Sequence, residues 1–220
     1  MTKLTQAIAL ATAMTAGLAA TATTQAEVSA SADLANMYLW HGQNLSANGG
    51  AVVSGSLDYS HQSGLYAGAW GTSGDTATGT EYDLYVGFAG AAGDFGYDVA
   101  YASYLYPGNT NDDVNDNAEV SLGFSFAGAS LSFLKNTDTD VNGDYLFTTL
   151  GYEMDKFGFV LGNASNTEGK YFATDYTHVD VTFAYNDNIS FTASQIVDQD
   201  VDDSFDDSTL FVVSYSLPIE

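Results

Sequence analysis

Apolar and polar side chains alternate with a period of two along most of the chain after residue 27. Around residue 84, for example, Tyr82, Leu84 and Val86 fall on one face of an extended chain, and Glu81 and Asp83 fall on the other. Such alternation is typical of β-strands with one apolar face. It predicts twelve strands, near Val28–Trp40, Ala51–Ser60, Leu65–Gly71, Thr80–Ala89, Asp94–Tyr106, Ala118–Phe126, Ala129–Lys135, Asp144–Met154, Phe157–Ala164, Asp175–Tyr185, Ile189–Asp198 and Ser208–Leu217.

The connections between these strands alternate between short and long. The short ones are residues 61–64, 90–93, 127–128, 155–156 and 186–188, and the long ones are 41–50, 72–79, 107–117, 136–143, 165–174 and 199–207. This alternation predicts an all-β, up-and-down antiparallel transmembrane β-barrel with short periplasmic turns and longer extracellular loops. A soluble sandwich or lipocalin-like barrel also alternates, but the polar face here is mostly Gly, Ala, Ser and Thr, which favours the membrane barrel.

Aromatic side chains cluster near both ends of the predicted strands. Such clustering is typical of the two aromatic girdles of a membrane barrel, where rings lie at the lipid headgroups. The girdle residues predicted in this way are Trp40, Tyr59, Tyr66, Trp70, Tyr106, Tyr185 and Tyr215.

The first 26 residues have the features of a secretory signal peptide. Lys3 supplies the positive charge, residues 4–20 form an Ala-rich apolar segment, and Thr24-Gln25-Ala26 fits a cleavage site. We therefore expect residues 27–220 to form a single barrel domain that is exported to the outer membrane and contacts its lipid.

The chain is strongly acidic, with 28 acidic residues against four basic ones and a formal net charge of −24. Such a charge repels phosphate, which excludes nucleic acid as a partner and favours cations or small neutral solutes. If the polar face lines the lumen, the inward residues are Asp33, Asp58, Asp83, Asp98, Glu119, Glu153, His178 and Asp180. They could select cations in a water-filled pore. They could equally bond to Tyr, Ser and Gln neighbours and fill the interior as a closed polar core.

One predicted loop carries six carboxylates, from Asp198, Asp200, Asp202, Asp203, Asp206 and Asp207. Carboxylate oxygens suit Ca²⁺ or Mg²⁺, but the loop lacks the Gly and Glu of an EF-hand. A solvated acidic rim is the alternative interpretation, and the sequence implies no other cofactor.

The three histidines, His41, His61 and His178, stand in no recognisable nucleophile motif, so no enzyme activity and no catalytic residue is predicted.

Several segments resemble those of a known family. They are Tyr38-Leu39-Trp40-His41-Gly42, Leu57-Asp58-Tyr59-Ser60-His61, the run from Gly64 to Gly71, Asp83-Leu84-Tyr85 and Tyr104-Leu105-Tyr106-Pro107-Gly108. They are similar to the proteobacterial Gcw-chp family, also called the TorF family of candidate porins. The resemblance implies an outer-membrane β-barrel whose function is poorly defined. The family pattern has Arg where this chain has His41.

These observations together predict a monomeric outer-membrane channel for passive diffusion of small cationic or neutral solutes. The alternative is a closed barrel that presents acidic, divalent-cation-binding loops for surface interaction or envelope structure.

Overall fold

The computed structural model describes residues 26–46, 50–75, 79–107, 114, 116–137, 144–166, 174–217 and 219. Its strands are β1 (Glu27–Ala35), β2 (Leu39–Trp40), β3 (Gln43–Asn44), β4 (Val52–Ser60), β5 (Leu65–Asp75), β6 (Gly79–Ala92), β7 (Phe95–Leu105), β8 (Ala118–Phe126), β9 (Ala129–Asn136), β10 (Tyr145–Met154), β11 (Phe157–Asn166), β12 (Tyr176–Ala184), β13 (Ile189–Gln199) and β14 (Leu210–Ser216). No helix in these ranges is long and apolar enough to cross a membrane.

Twelve of the strands form a closed barrel, and β2 and β3 form a separate two-stranded hairpin. In the barrel each strand pairs antiparallel with its neighbours in the sequence, and β1 completes the circle by pairing with both β4 and β14. Closure leaves no sheet edge to be covered. The predicted all-β, up-and-down antiparallel barrel of about twelve strands is confirmed. The predicted signal peptide, residues 1–26, lies almost wholly outside the described residues.

The first predicted strand, Val28–Trp40, is too long, because β1 ends at Ala35. The next residue, Asn36, ends the ladder with its side chain. Its Oδ1 accepts a hydrogen bond from the Val213 amide at 2.7 Å, and its Nδ2 donates to the Phe211 carbonyl at 3.0 Å. The Asn36 backbone amide also donates to the Val213 carbonyl at 3.2 Å, and the chain leaves the wall after this residue. The aromatic residues that follow alternate like a strand, but they lie inside the barrel.

The connection predicted at residues 72–79 is also wrong in length. The ladder between β5 and β6 continues past Thr72, which pairs with Glu81, to Asp75, which pairs with Gly79. A register shift between Thr72 and Asp75 accommodates the extra residues. Only residues 76–78 separate the two strands, so long and short connections do not alternate at this position.

The outer surface of the wall is apolar. Every barrel strand except β9 contributes large exposed hydrophobic side chains to a band on this surface. Examples are Val181 of β12, Phe191 of β13 and Phe211 of β14. Leu84 and Leu122, in the middle of their strands, are 45% and 41% exposed. Hydroxyl and carboxyl side chains such as Ser132, Thr192 and Asp180 point inward and are buried. This inversion of a soluble core is what lipid surroundings require.

Candidate functional site: the lumen and its plug hairpin

The segment that follows β1 folds into the barrel at the loop end. We call residues 38–46, which contain β2 and β3, the plug hairpin. The hairpin closes on itself, because the Leu45 amide donates to the Tyr38 carbonyl at 2.8 Å and the Tyr38 amide donates to Ser46 Oγ at 2.6 Å. Tyr38, Leu39 and Trp40 are all buried, although each lies in a connection between wall strands.

Four hydrogen bonds to three wall residues join the plug hairpin to the wall. Tyr38 donates its hydroxyl to Glu81 Oε2 on β6 at 3.2 Å, and His41 Nδ1 lies 2.9 Å from the Tyr145 hydroxyl on β10. On β12, the Tyr176 hydroxyl donates to the His41 carbonyl at 2.9 Å and accepts from Gln43 Nε2 at 2.8 Å. The contacts come from strands on different sides of the barrel, so they hold the hairpin across the mouth.

Aromatic stacking adds to these contacts. The His41 ring lies between Trp40 and Phe147, with ring centroids 3.7 Å and 3.5 Å away, and Phe147 stacks in turn on His178. Gly42 lies so close to His178 that a Cβ there would be 2.6 Å from the His178 side chain. An apolar cluster surrounds the stack: Tyr38, Trp40, Val52, Leu134, Tyr145, Phe147, Ala164, Tyr176 and Ile196. The loop end of the lumen is therefore packed like a protein core.

Carboxylates line the rest of the lumen, and tyrosines bond to them. The Tyr66 hydroxyl donates to Asp98 Oδ2 at 2.9 Å, and the Tyr104 hydroxyl donates to Glu119 Oε2 at 2.6 Å. Asp58 accepts hydrogen bonds from Tyr85 and from Ser56. Glu81 accepts from Tyr106 as well as from Tyr38.

Burial of these pairs changes along the barrel. Asp58, Tyr66 and Tyr85, toward the turn end, are partly exposed, whereas Glu81, Asp83 and Glu119 are 2%, 1% and 6% exposed. The lumen around Asp58 is therefore open to water, whereas Asp98, also toward the turn end, is only 6% exposed and the carboxylates beneath the plug hairpin are shut away from water.

The predicted lumen residues all fall on the inner face. Asp33 lies at the seam between β1 and β14, with Ser31 and Ser216 beside it. His178 Nδ1 lies 3.0 Å from Asp180 Oδ1, and Glu153 is exposed at the turn end of β10. The two lysines in the described ranges are elsewhere: Lys135 pairs with Asp144 on the outside, and Lys156 donates to a turn carbonyl. In the described part of the lumen no lysine or arginine balances the carboxylates.

Four of the residues predicted to form the aromatic girdles lie inside the barrel instead, which corrects that assignment. Trp40 is part of the plug hairpin, and Trp70 packs against it with its ring 5.9 Å from Tyr38. Tyr66 and Tyr106 turn inward because their hydroxyls bond to Asp98 and Glu81. The other three, Tyr59, Tyr185 and Tyr215, are exposed on the outer surface near the turn end.

The six aspartates between residues 198 and 207 are all exposed. Hydrogen bonds from the Ser208 side chain and from the Ser208 amide, the latter at 3.0 Å, lower the pKa of the Asp206 carboxyl group. In the ranges that the structure describes, no three acidic or histidine side chains converge as metal ligands. The loop is attached to the mouth through Phe205, whose ring lies 4.6 Å from Tyr176.

His178, Asp180 and the buried Ser194 are neighbours without forming a catalytic triad. Ser194 pairs with Asp180 across β12 and β13, so it lies on one side of β12. His178 Nε2 faces the other side, where it lies against Gly162 of β11. The imidazole therefore does not reach the serine hydroxyl as a general base would have to.

Some inward residues were missed, although the sequence carries a signal for them. Glu81 shares the face of Asp83 by simple alternation, yet the prediction included only Asp83. The pairing of Asp58 with Gly68 puts Tyr66 and Trp70 on the face of Asp58, and the short turn between β4 and β5 fixes this register. No local sequence pattern predicts the plug hairpin, because the residues that hold it lie far away in the sequence, on β6, β10 and β12.

A closed barrel with an apolar outer surface and a polar lumen is a membrane barrel of the outer-membrane type. The chain belongs to the family Gcw_chp, described as bacterial protein of unknown function, whose model matches residues 19–215. No curated protein matches it in sequence. Among solved structures, the outer membrane protease OmpT from Escherichia coli is similar over 87% of this chain and 92% of that chain, with 10% identity and a TM-score of 0.25.

The half-buried His41 is expected to make the plug hairpin sensitive to acid. Burial lowers the pKa of His41 well below its ordinary value of 6.5, and the nearby His178 adds to this effect. The titratable groups that face it are Tyr145, Tyr176 and His178, the last bonded to Asp180. A released hairpin would expose His41, so below pH 6.5 the released form binds more protons and acid favours release.

We expect acid release to be visible in tryptophan fluorescence, because both tryptophans of the chain, Trp40 and Trp70, lie at the plug hairpin. Acrylamide quenching should increase as the pH falls from 8 to 5, and the His41→Gln variant should lose this dependence. His61→Gln, in the turn between β4 and β5, is the matched control. If His41→Gln keeps the wild-type pH profile, another group controls the hairpin.

Proposed function

We propose that the protein is a channel for small cations in the outer membrane, held closed in this conformation by the plug hairpin. The observation that supports this most is the charge of the lumen. Carboxylates from β1, β4, β6, β7, β8 and β12 face inward, and the described lysines face elsewhere. A lumen of one charge sign attracts ions of the opposite sign and excludes the others.

The pairs near the turn end are suited to select ions. Tyrosine hydroxyls fix both Asp58, which is partly exposed, and Asp98, which is 6% exposed and bonds to the partly exposed Tyr66. Each carboxylate oxygen has a further lone pair beyond its hydrogen bond, so it can still contact a passing cation. The passage would be passive diffusion, with no catalytic group and no cofactor.

The packed mouth supports a second function. The plug hairpin and the acid–tyrosine pairs also suit a permanently closed barrel that displays its acidic loops at the cell surface. Such a barrel would conduct no ions in any variant that still folds, which separates it from a channel.

Selectivity is tested by reversal potentials in planar bilayers across a KCl gradient. We expect the wild type to prefer K⁺ over Cl⁻, because the lumen is acidic. The double variant Asp58→Asn/Asp98→Asn should move the reversal potential toward zero, since two lumen charges are lost and the hydrogen bonds are kept. The double variant Asp155→Asn/Asp187→Asn removes the same charge from turns and should behave as wild type. Anion preference in the wild type would overturn the proposal.

A further inference from the structure

Directly beneath the plug hairpin, three oxygen-bearing side chains lie together on the inner face of the wall. Thr72 of β5 pairs with Glu81 of β6, and Asp83 is the next inward residue of β6. Thr72, Glu81 and Asp83 are 3%, 2% and 1% exposed, respectively. The site is thus sealed from water by the wall on one side and by the hairpin on the other.

Two carboxyl groups meet at this position on the inner face of β6. The carboxyl groups of Asp83 and Glu81 are in hydrogen-bonding contact, and Glu119 of β8 acts on Asp83 electrostatically. Two ionised carboxylates in contact repel one another strongly in a buried place. They must share a proton or a cation, and no lysine of the described lumen is available to serve as the partner.

An independent observation concerns hydrogen bonding. Asp83 Oδ1 and the hydroxyl oxygen of Thr72 are buried and have no hydrogen-bond partner. Buried polar atoms in folded proteins nearly always have one. Thr72 and Asp83 are diagonal neighbours on the inner face of the ladder between β5 and β6, so one bound group could contact both oxygens. The Thr72 hydroxyl carries no charge, so its isolation is a separate fact from the repulsion between the acids.

We propose that Glu81, Asp83 and Thr72 bind a divalent cation, Ca²⁺ or Mg²⁺, inside the barrel. All candidate ligands are hard oxygen atoms, which these cations prefer, and water can complete the coordination of either ion. A double positive charge neutralises the two carboxylates in contact, whereas a monovalent ion would leave one of them unbalanced. Cations that pass through the lumen would bind at this site on their way, and this role rests on the channel function proposed above.

The site also contacts the plug hairpin. Glu81 accepts a hydrogen bond from Tyr38 of the hairpin, so a cation at Glu81 lies next to the residue that holds the mouth closed. The cation and the hairpin therefore share one carboxylate, and occupancy of the site supports the closed conformation by removing the repulsion beneath it.

The test is calorimetric titration of the full barrel, refolded in detergent, with CaCl₂ and separately with MgCl₂. We expect one saturable site inside the barrel. Asp83→Asn should weaken binding by at least about tenfold, a loss that even outer partners of a metal ligand can cause. Thr72→Val, which keeps the shape and removes the hydroxyl, should weaken it less. The double variant Asp202→Asn/Asp203→Asn controls for binding at the external loop and should keep the affinity.

Thermal unfolding distinguishes a lost site from a damaged fold. Without divalent ions, Asp83→Asn should be at least as stable as the wild type, because it removes a like charge. Added Ca²⁺ should raise the melting temperature of the wild type but not that of the variant. A wild type that binds no cation, or binding that is lost only in Asp202→Asn/Asp203→Asn, overturns the proposal. Neither outcome depends on conductance, so the channel function is judged separately.

Discussion

Removing the plug hairpin should increase the single-channel conductance severalfold. The variant replaces residues 38–45 with a short Gly-Ser linker between Met37 and Ser46. The two ends of this segment already meet, since the Leu45 amide bonds to the Tyr38 carbonyl, so a short linker spans the gap with little loss of loop entropy. The ladders between wall strands do not include the removed residues, so the barrel should still close. The conductance should increase because the packed cluster that fills the mouth loses Tyr38 and Trp40.

A control for this experiment comes from the loop between β13 and β14. In this control, a linker shorter than the four residues 201–204 replaces them. The external loop is thereby shortened, and Phe205, the residue that contacts the mouth, is kept. Measurement in about 1 M KCl reduces the Debye length to about 3 Å, so the loss of rim charges has little influence. We expect wild-type conductance from this control. An unchanged conductance in the hairpin variant, with the barrel still folded, would favour the permanently closed barrel.

The wall of the barrel could be predicted because a membrane strand is a local pattern. Each residue's face follows from a period of two, and predicted strands such as Ala118–Phe126 coincide with the observed ones. The sequence could also indicate which face is lipid-facing, because a lumen of Gly, Ala, Ser and Thr differs from the charged surface of a soluble sheet.

The interior of the mouth could not be predicted in the same way. Tyr38 and Trp40 continue the alternation of β1, yet the chain turns inward after Asn36, whose side chain and backbone amide bond to β14. Aromatic residues near strand ends can lie at lipid headgroups or fill a lumen, and their composition does not distinguish the two. Tyr106 lies inside, where its hydroxyl donates a hydrogen bond to the buried carboxylate of Glu81. The two residues come together only when β6 and β7 pair, so the contact cannot be predicted from either segment alone.

The orientation of the wall leads to the second large effect. Leu122 and Ser121 are consecutive residues in the middle of β8, yet Leu122 is exposed on the outer surface and Ser121 faces the lumen. Leu122→Arg places a charge in the hydrocarbon region and should lower the free energy of unfolding by about 2–4 kcal/mol. Ser121→Arg places the same group among carboxylates, close to Asp98, which lies opposite Gly123. It should cost much less, because the lumen supplies both water and opposite charge.

The measurement is equilibrium unfolding in urea from lipid vesicles, followed by the slower gel migration of the unfolded chain. Wild type and both variants are compared at one lipid composition, so that bilayer thickness does not enter the difference. A larger loss for Ser121→Arg than for Leu122→Arg would mean that the polar face meets the surroundings and that the barrel is a soluble one. The contrast between adjacent residues is therefore a direct test of which face of the wall meets lipid, on which both the channel and the closed-barrel functions depend.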